Sequence, residues 1–452
     1  MKYKPSNYNY CVCNRKGDYL LYNTLQGTKS FCKVKKCNEE VLRYLNTAEE
    51  VYNENQITNK LISKGFLIPQ NYNEENELEK IFLDKVNDNK LNMIIAPTGK
   101  CNLRCTYCCE DFRSGSMSKS VQESIIKFVE KNIGKYNGVN IDWFGGEPLL
   151  AMDVIENLST NIIRICNENK KIYTSFITTN GTLLDLSSFK KLYKLNVIMY
   201  QITIDGVKSV HDSQRIGINN QPTFNQIVSN LETIRDSKVG KHAIIMILTN
   251  YSKTLKNSID QYKEYFSKKF NNDRRFCFTC NVIMDLGGER ISNYKPNLLD
   301  YIGMNTFYNK IIENDNVKLK YIYEEFLEPG SQLCYAAKKN SFIISEDGKI
   351  YKCEHQYQTQ KDNYTGVFDE MGNMVLNNKE KKWLGKFNFC QSELCKLKPL
   401  CLGEDCIEKR IEYNNKNIFG STCGFRECHF MKKSIESVLK LLDHERNIFP
   451  EF

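Results

Sequence analysis

The chain of 452 residues is 41% hydrophobic and 26% charged, with 24 Gly, 9 Pro and a formal net charge of +9. That length predicts about three domains, and the composition excludes a low-complexity or collagenous chain. The lysines are dispersed, which argues against a nucleic-acid partner, and apolar runs such as Ala243–Leu248 are too short to span a bilayer.

The outlying number is 19 cysteines, spread from Cys11 to Cys428. Met1 is followed by polar residues rather than an apolar signal region, so a cytoplasmic chain with reduced thiols is expected. The cysteines are then metal ligands, catalytic thiols or small buried hydrophobes.

Residues 1–70 read as a small winged-helix-like domain. Strands are expected at Tyr19–Tyr22 and Phe31–Val34 about the turn Gln26–Gly27. A helix capped by Asn38, a second at Ile57–Lys64 and an extended Phe66–Pro69 follow. Residues 71–90 are polar and partly helical, the composition of a linker.

Residues 91–290 alternate strands with helices. The strands are expected at Met93–Ala96, Val139–Phe144, Tyr173–Thr178, Ile198–Ile204, Ala243–Leu248 and Cys277–Ile283, with helices such as Ser120–Ile133 and Asn225–Ser237 between them. This is an α/β pattern with a parallel sheet, too few strands for a full eight-strand barrel, so a partial (β/α)6 TIM-like barrel is expected. Functional residues belong at the carboxyl ends of such strands. Residues 291–333 bridge to a cysteine-rich region at 334–430, and 431–452 read as a helix.

The first barrel strand runs into Cys101-x3-Cys105-x2-Cys108. Three thiolates in one tight loop suit three irons of a four-iron–four-sulfur cluster with one iron open, whereas structural zinc wants a fourth ligand. Cys109 reads as packing. With Tyr107 before the third cysteine, the motif resembles the signature of radical S-adenosylmethionine (radical SAM) enzymes. In that family SAM chelates the open iron and is reductively cleaved to a 5′-deoxyadenosyl radical, which abstracts a substrate hydrogen.

Downstream motifs agree in order. Gly145, Gly146, Glu147 and Pro148 end the second strand and resemble the family's motif for the SAM amino group. Asn180, in Thr178-Thr-Asn-Gly181, resembles its Thr-Asn-Gly turn, although a plain turn serves the same residues. By resemblance Thr203 approaches the SAM ribose. Arg215 pairs with the SAM carboxylate or makes a structural ion pair. His211 reads as a loop or cap residue, and no catalytic base is assigned.

Cys334, Gly348-x4-Cys353, Cys390-x4-Cys395-x5-Cys401-x4-Cys406, Cys423 and Cys428 resemble the SPASM extension, which carries two auxiliary four-iron–four-sulfur clusters. The resemblance assigns Cys334, Cys353 and Cys406 to the first. It assigns Cys390, Cys395, Cys401 and Cys428 to the second, with Cys423 competing for the last place. The first cluster's fourth ligand is open, or is Cys423, Cys280 or another group. A zinc ribbon is the alternative for these late cysteines. Cys11, Cys13, Cys32, Cys37, Cys166 and Cys277 read as packing. Cys280 and Asp285 could face the barrel mouth.

The resemblance implies a peptide maturase. Its substrate would be a ribosomally made precursor peptide whose leader adds a strand to the N-terminal domain. It would form cysteine thioether crosslinks, using electrons from a donor such as flavodoxin or ferredoxin. Other radical modifications, carbon–carbon crosslinking or formylglycine formation in a sulfatase, are the alternative. A non-catalytic iron–sulfur or zinc protein is the third possibility.

Overall fold

The computed structural model describes residues 1–300 apart from 37, 48, 53–54, 111, 113–114, 256–257 and 286–287. It also describes 303, 326–387 apart from 361, 395–403, 406–408, 435–436, 438–440, 442–443 and 449–452. Cys390, Cys423 and Cys428, and parts of the bridging segment and of the helix expected at 431–452, lie outside the described residues, and residues 449–452 are extended rather than helical.

The amino-terminal residues form two small antiparallel sheets. Strands β1 (Lys2–Pro5), β5 (Val51–Tyr52) and β6 (Leu67–Pro69) make one, in the order β5-β1-β6. Strands β2 (Asn9–Cys13), β3 (Tyr19–Asn23) and β4 (Gly27–Val34) make the other as a meander. The expected turn is there, with Gly27 at φ +65, a value that disfavours a Cβ. Helix α1 (Glu39–Asn46) has no side-chain cap from Asn38. Helix α2 (Gln56–Ser63) is closed instead by a reciprocal box, Thr58 N–H to Asn55 Oδ1 at 2.9 Å and Asn55 N–H to Thr58 Oγ1 at 3.2 Å.

Helix α3 (Glu74–Val86) occupies the predicted linker. Leu78, Phe82 and Val86 recur every fourth residue and bury one stripe against Leu333, Ala336, Trp383 and Leu402. The segment is therefore a packed spacer as well as a connection.

The central sheet has ten strands among the described residues. Strands β7 (Lys90–Ile95), β8 (Gly138–Trp143), β9 (Ile172–Thr179), β10 (Val197–Thr203), β11 (Ile244–Tyr251) and β12 (Phe276–Val282) are parallel neighbours in sequence order. Between them lie α4 (Lys119–Asn132), α5 (Met152–Glu168), α6 (Leu186–Lys194), α7 (Lys208–Gln214), α8 (Phe224–Ser237) and α9 (Ile259–Phe270). Alternation sorts each strand. Met93, Ile141, Trp143, Ile177, Tyr200, Ile202 and Ile245 pack in one core with Val129, Leu158, Ile162, Leu192, Leu231 and Ile234 of the helices. This is a TIM-like α/β fold with a large, mostly parallel sheet.

After α10 (Glu289–Tyr294), the chain returns to the same sheet. Strand β13 (Ser341–Ile344) lies parallel to β7, with Phe342 beside Met93 and Ile344 beside Ile95. Strands β14 (Lys349–Tyr351), β15 (Gly366–Phe368) and β16 (Met374–Leu376) continue it antiparallel. The cysteine-rich region is thus stitched to the barrel through hydrogen bonds at the edge of β7. No helix among the described residues is long and apolar enough to cross a membrane.

Candidate active site

The cysteine loop leaves the carboxyl end of β7, as expected of an α/β site. A second backbone ladder clamps it from the side, where Arg104 N–H donates to Ile216 O at 2.6 Å and Thr106 N–H to Gln214 O at 2.9 Å. Ile218 N–H donates to Asn102 O at 3.1 Å. Cys105 is buried, and Cys101 and Cys108 are half-buried. Burial pushes all three thiols up, Cys101 to about 12, and a neighbouring Cys105 thiolate adds to the rise at Cys101 and Cys108. At Cys105 the Arg215 guanidinium opposes that rise.

Three coupled, desolvated thiols in one loop do not ionise readily alone; a cationic iron cluster is the kind of group that would deprotonate them. The neighbouring wall carries buried polar atoms with no hydrogen-bond partner, Thr106 Oγ1, Gln214 Oε1 and Arg215 Nε. Among the described residues no three His, Cys, Asp or Glu side chains gather around a single metal-ion position. A cluster asks something different, because each thiolate takes its own iron. The residues present fit such a group.

Gly145-Gly146-Glu147-Pro148 closes the loop from the β8 side. A Cβ on Gly146 would stand 2.3 Å from Lys100 O, and one on Gly145, at φ +102, 2.8 Å from Thr98 O. Here the glycines allow two loops to touch. Glu147 N–H donates to Lys100 O at 2.8 Å, fixing the contact. Its fully buried carboxylate accepts from Thr179 Oγ1 at 2.6 Å, Leu149 N–H at 3.1 Å and Asn180 N–H at 2.7 Å. A carboxylate has about four lone-pair sites, so about one remains for an ammonium donor. Burial raises the Glu147 pKa, and those three donors and Arg215 oppose it.

Asn180 is tied to the cysteine loop, its Nδ2 donating to Asn102 Oδ1 at 2.8 Å. Thr203 is buried at the end of β10. Pro148 opens a short 3-10 turn with Glu147 as its cap. Arg215 is buried, and its Nη1 donates to the Tyr107 hydroxyl at 2.8 Å. Asn250 Nδ2 donates to the same oxygen at 3.1 Å, and that hydroxyl donates to Asp205 Oδ2. Asp205 Oδ1 accepts from Asn250 N–H at 3.0 Å. His211 lies inside α7 rather than in a loop or at a cap, buried, with Nδ1 accepting from Asp205 N–H at 3.1 Å and Nε2 3.0 Å from Thr223 Oγ1.

Sequence reasoning gave no role to Asp205, Asn250, Asp142 or Glu354. Asp142 lies on the face of β8 opposite Ile141 and Trp143, beside Asn140, whose Nδ2 donates to it at 2.8 Å. Burial pushes Asp142 up to about 6. Helix α11 (Glu354–Thr359) begins with Glu354, pushed up to about 7 by burial and then by Asp142. The alternation Asn140-x-Asp142 in an apolar strand was the available signal. Nothing in the sequence pairs that strand with residue 354.

Among the late cysteines, Cys334, Cys353, Cys395, Cys401 and Cys406 are half-buried. Cys334 and Cys353 share one apolar cluster with α3. The Cys353 thiol is pushed up to about 12, chiefly by burial, with Glu408 and Cys334 adding to it. Cys280 is half-buried on β12 and desolvation raises its pKa, while Asp285 pairs with Lys295 at 2.9 Å. Cys109 Sγ donates to Gln358 Oε1 at 3.0 Å, joining the cysteine loop to α11.

The family model of the radical SAM superfamily matches residues 95–262, which run from the end of β7 into α9 and hold this loop. The cysteine-type anaerobic sulfatase-maturating enzyme of Clostridium novyi (strain NT) is 29% identical over 289 residues, 58% of this chain and 73% of its own. The enzyme of that name from Clostridium perfringens (strain ATCC 13124) is 26% identical over 331 residues, 68% and 85% of the two chains. The solved structure of native anSMEcpe with bound AdoMet superposes with a TM-score of 0.58 at 19% identity, over 79% of this chain and 99% of that one. Residues 95–262 are thus a radical SAM domain, and its thiol loop fits the four-iron–four-sulfur cluster and S-adenosylmethionine with which that family works.

Proposed function

We propose that this radical SAM enzyme modifies a ribosomally made peptide, forming thioether crosslinks from its cysteines to carbon. Cys101, Cys105 and Cys108 would hold the SAM-binding cluster. The late cysteines Cys334, Cys353, Cys390, Cys395, Cys401, Cys406 and Cys428 would hold two auxiliary clusters. When bound, these groups supply hydrogen-atom abstraction and electron acceptance, with a flavodoxin or ferredoxin as the external donor. Glu147, Asn180, Thr203 and Arg215 would position SAM.

One observation carries the peptide reading. The amino-terminal module is docked on the segment that bears Cys395, where Tyr10 and Cys395 pack against one apolar cluster with Leu397 and Leu400. Thr24 Oγ1 also donates to Lys396 O at 2.5 Å. A leader bound by residues 1–70 therefore delivers its peptide beside the proposed auxiliary ligands. Consistently, 79% of this chain accounts for 99% of the anSMEcpe structure, leaving about a fifth of the chain for an added task.

A second reading, conversion of a sulfatase cysteine to formylglycine, is favoured by the names of the two clostridial relatives. One experiment separates them. The protein is co-expressed anaerobically with a cysteine-containing peptide encoded beside it, or incubated with a sulfatase-type cysteine peptide. Thioether formation breaks one C–H and one S–H bond, so the peptide loses two hydrogens and its cysteine no longer alkylates. Formylglycine formation removes the sulfur altogether. A peptide that loses hydrogen yet keeps alkylatable cysteines would sink the thioether reading.

A further inference from the structure

Residues 449–452, Phe-Pro-Glu-Phe, lie in extended form along the outer edge of β4, joined to it by one parallel bridge between Glu451 and Lys33. Strand β4 is the edge of its meander, so this side is otherwise open among the described strands. Lys33 N–H donates to Pro450 O at 2.9 Å and Phe452 N–H to Lys33 O at 2.7 Å. Phe449 and Phe452 are three apart, which on a strand sends them to opposite faces. Phe449 stacks on Phe31 at 4.4 Å between ring centroids, in the cluster with Leu20 and Leu442. Phe452 packs on the other cluster, with Val34, Leu61 and Phe66.

Helix α2 finishes the grip. Lys60 Nζ donates to Glu451 O at 2.8 Å and sits 4.9 Å from the centre of the Phe452 ring. Lys35 pairs with the Glu451 carboxylate at 3.3 Å. An edge strand that takes main-chain bonds, two aromatic anchors and one acidic group has the parts of a strand-addition peptide site. Proline at 450 offers no N–H, which limits further pairing beyond that bridge.

We propose that residues 449–452 are a displaceable occupant of this edge, and that the peptide which replaces them is an extended acidic segment in the order aromatic-x-acidic-aromatic. The proposal rests on the reading of residues 1–70 as a peptide-binding module and adds its regulation. The edge is closed while residues 449–452 lie on it, and substrate capture begins with strand exchange. A single parallel bridge with two main-chain bonds at one residue is a suitable element for such exchange.

The test uses the synthetic hexapeptide Asn-Ile-Phe-Pro-Glu-Phe, fluorescently labelled at its amino end, against the full chain and a chain shortened after Ile448. The shortened chain is expected to bind it saturably and at least tenfold more tightly than the full chain. Replacing both peptide aromatics by Ala, or Lys60→Ala in the shortened chain, should remove that binding. The full-length double variant Phe449→Ala/Phe452→Ala provides the same measurement without truncation and should also gain hexapeptide binding. Equal binding to full-length and altered chains, or binding to neither altered chain, overturns the proposal. These readouts need no turnover, so failure of the thioether reading leaves them unchanged and is detected separately by mass spectrometry.

Discussion

The Arg215 guanidinium donates to the Tyr107 hydroxyl at 2.8 Å, joining a residue of the cysteine loop to one 108 positions further along the chain. Tyr107 passes that bond on to Asp205, and His211 holds the Asp205 backbone from behind. The loop that carries Cys105 and Cys108 is therefore anchored by the carboxyl ends of β10 and β11. The aromatic residue of the cysteine motif has a hydrogen-bonding task in addition to its ring.

Tyr107→Phe keeps the ring but removes an oxygen that serves Arg215, Asn250 and Asp205. Leaving buried polar groups without a partner costs about 1–3 kcal/mol. Urea unfolding should show stability lowered by about that much through a lower midpoint, with slope unchanged. A midpoint equal to that of the parent protein would contradict the anchoring role.

Cys101→Ala, Cys105→Ala or Cys108→Ala should each abolish SAM cleavage and lower iron after anaerobic reconstitution by roughly four atoms from roughly twelve. Changes at Cys353 or Cys401 should lower the count while sparing the SAM-dependent spectroscopic change. Iron assay and electron paramagnetic resonance check both. An iron content of roughly four that late-cysteine changes leave untouched would remove the auxiliary clusters from the scheme.

Gly146→Ala places a methyl group 2.3 Å from Lys100 O, a backbone atom that can move only with the cysteine loop. Overpacking of this kind costs about 1–3 kcal/mol. Weaker SAM binding, read by equilibrium dialysis, is expected along with the lowered stability. Unchanged affinity would show that the loop absorbs the shift.

His211 is buried and its pKa is drawn down to about 3 from 6.5, first by burial and then by Arg215. Below pH 6.5 the unfolded chain takes up a proton that the folded chain refuses until about pH 3. Stability is therefore complete above that unfolded value and declines as pH falls through this window. At pH 5 the loss is about 2 kcal/mol. Subtracting the stability–pH curve of His211→Gln from that of the parent chain should isolate this slope, and parallel curves would refute it.

The amino acid order by itself determined the barrel strands to within about three residues at their ends. Each strand is an apolar, β-branched run between turn residues, and that signal is local. It also determined which cysteines share a loop, since Cys101, Cys105 and Cys108 need only one turn of chain to meet. What depends on distant partners was not legible. Alternation put Asn140 and Asp142 on one face of β8, but only packing brought Glu354 within electrostatic reach. The glycines of Gly145-Gly146 looked like SAM contacts, and the structure gives them a first task against Thr98 and Lys100. The seventh parallel strand, β13, and the bridge of Glu451 to β4 were equally hidden. Edge pairing is set by which hydrogen-bonding groups remain unpaired once the sheets have formed, and no short-range pattern encodes that. The spacing of Cys101, Cys105 and Cys108 announced iron–sulfur chemistry, while the tertiary structure decided how their loop is held and what lies beside it.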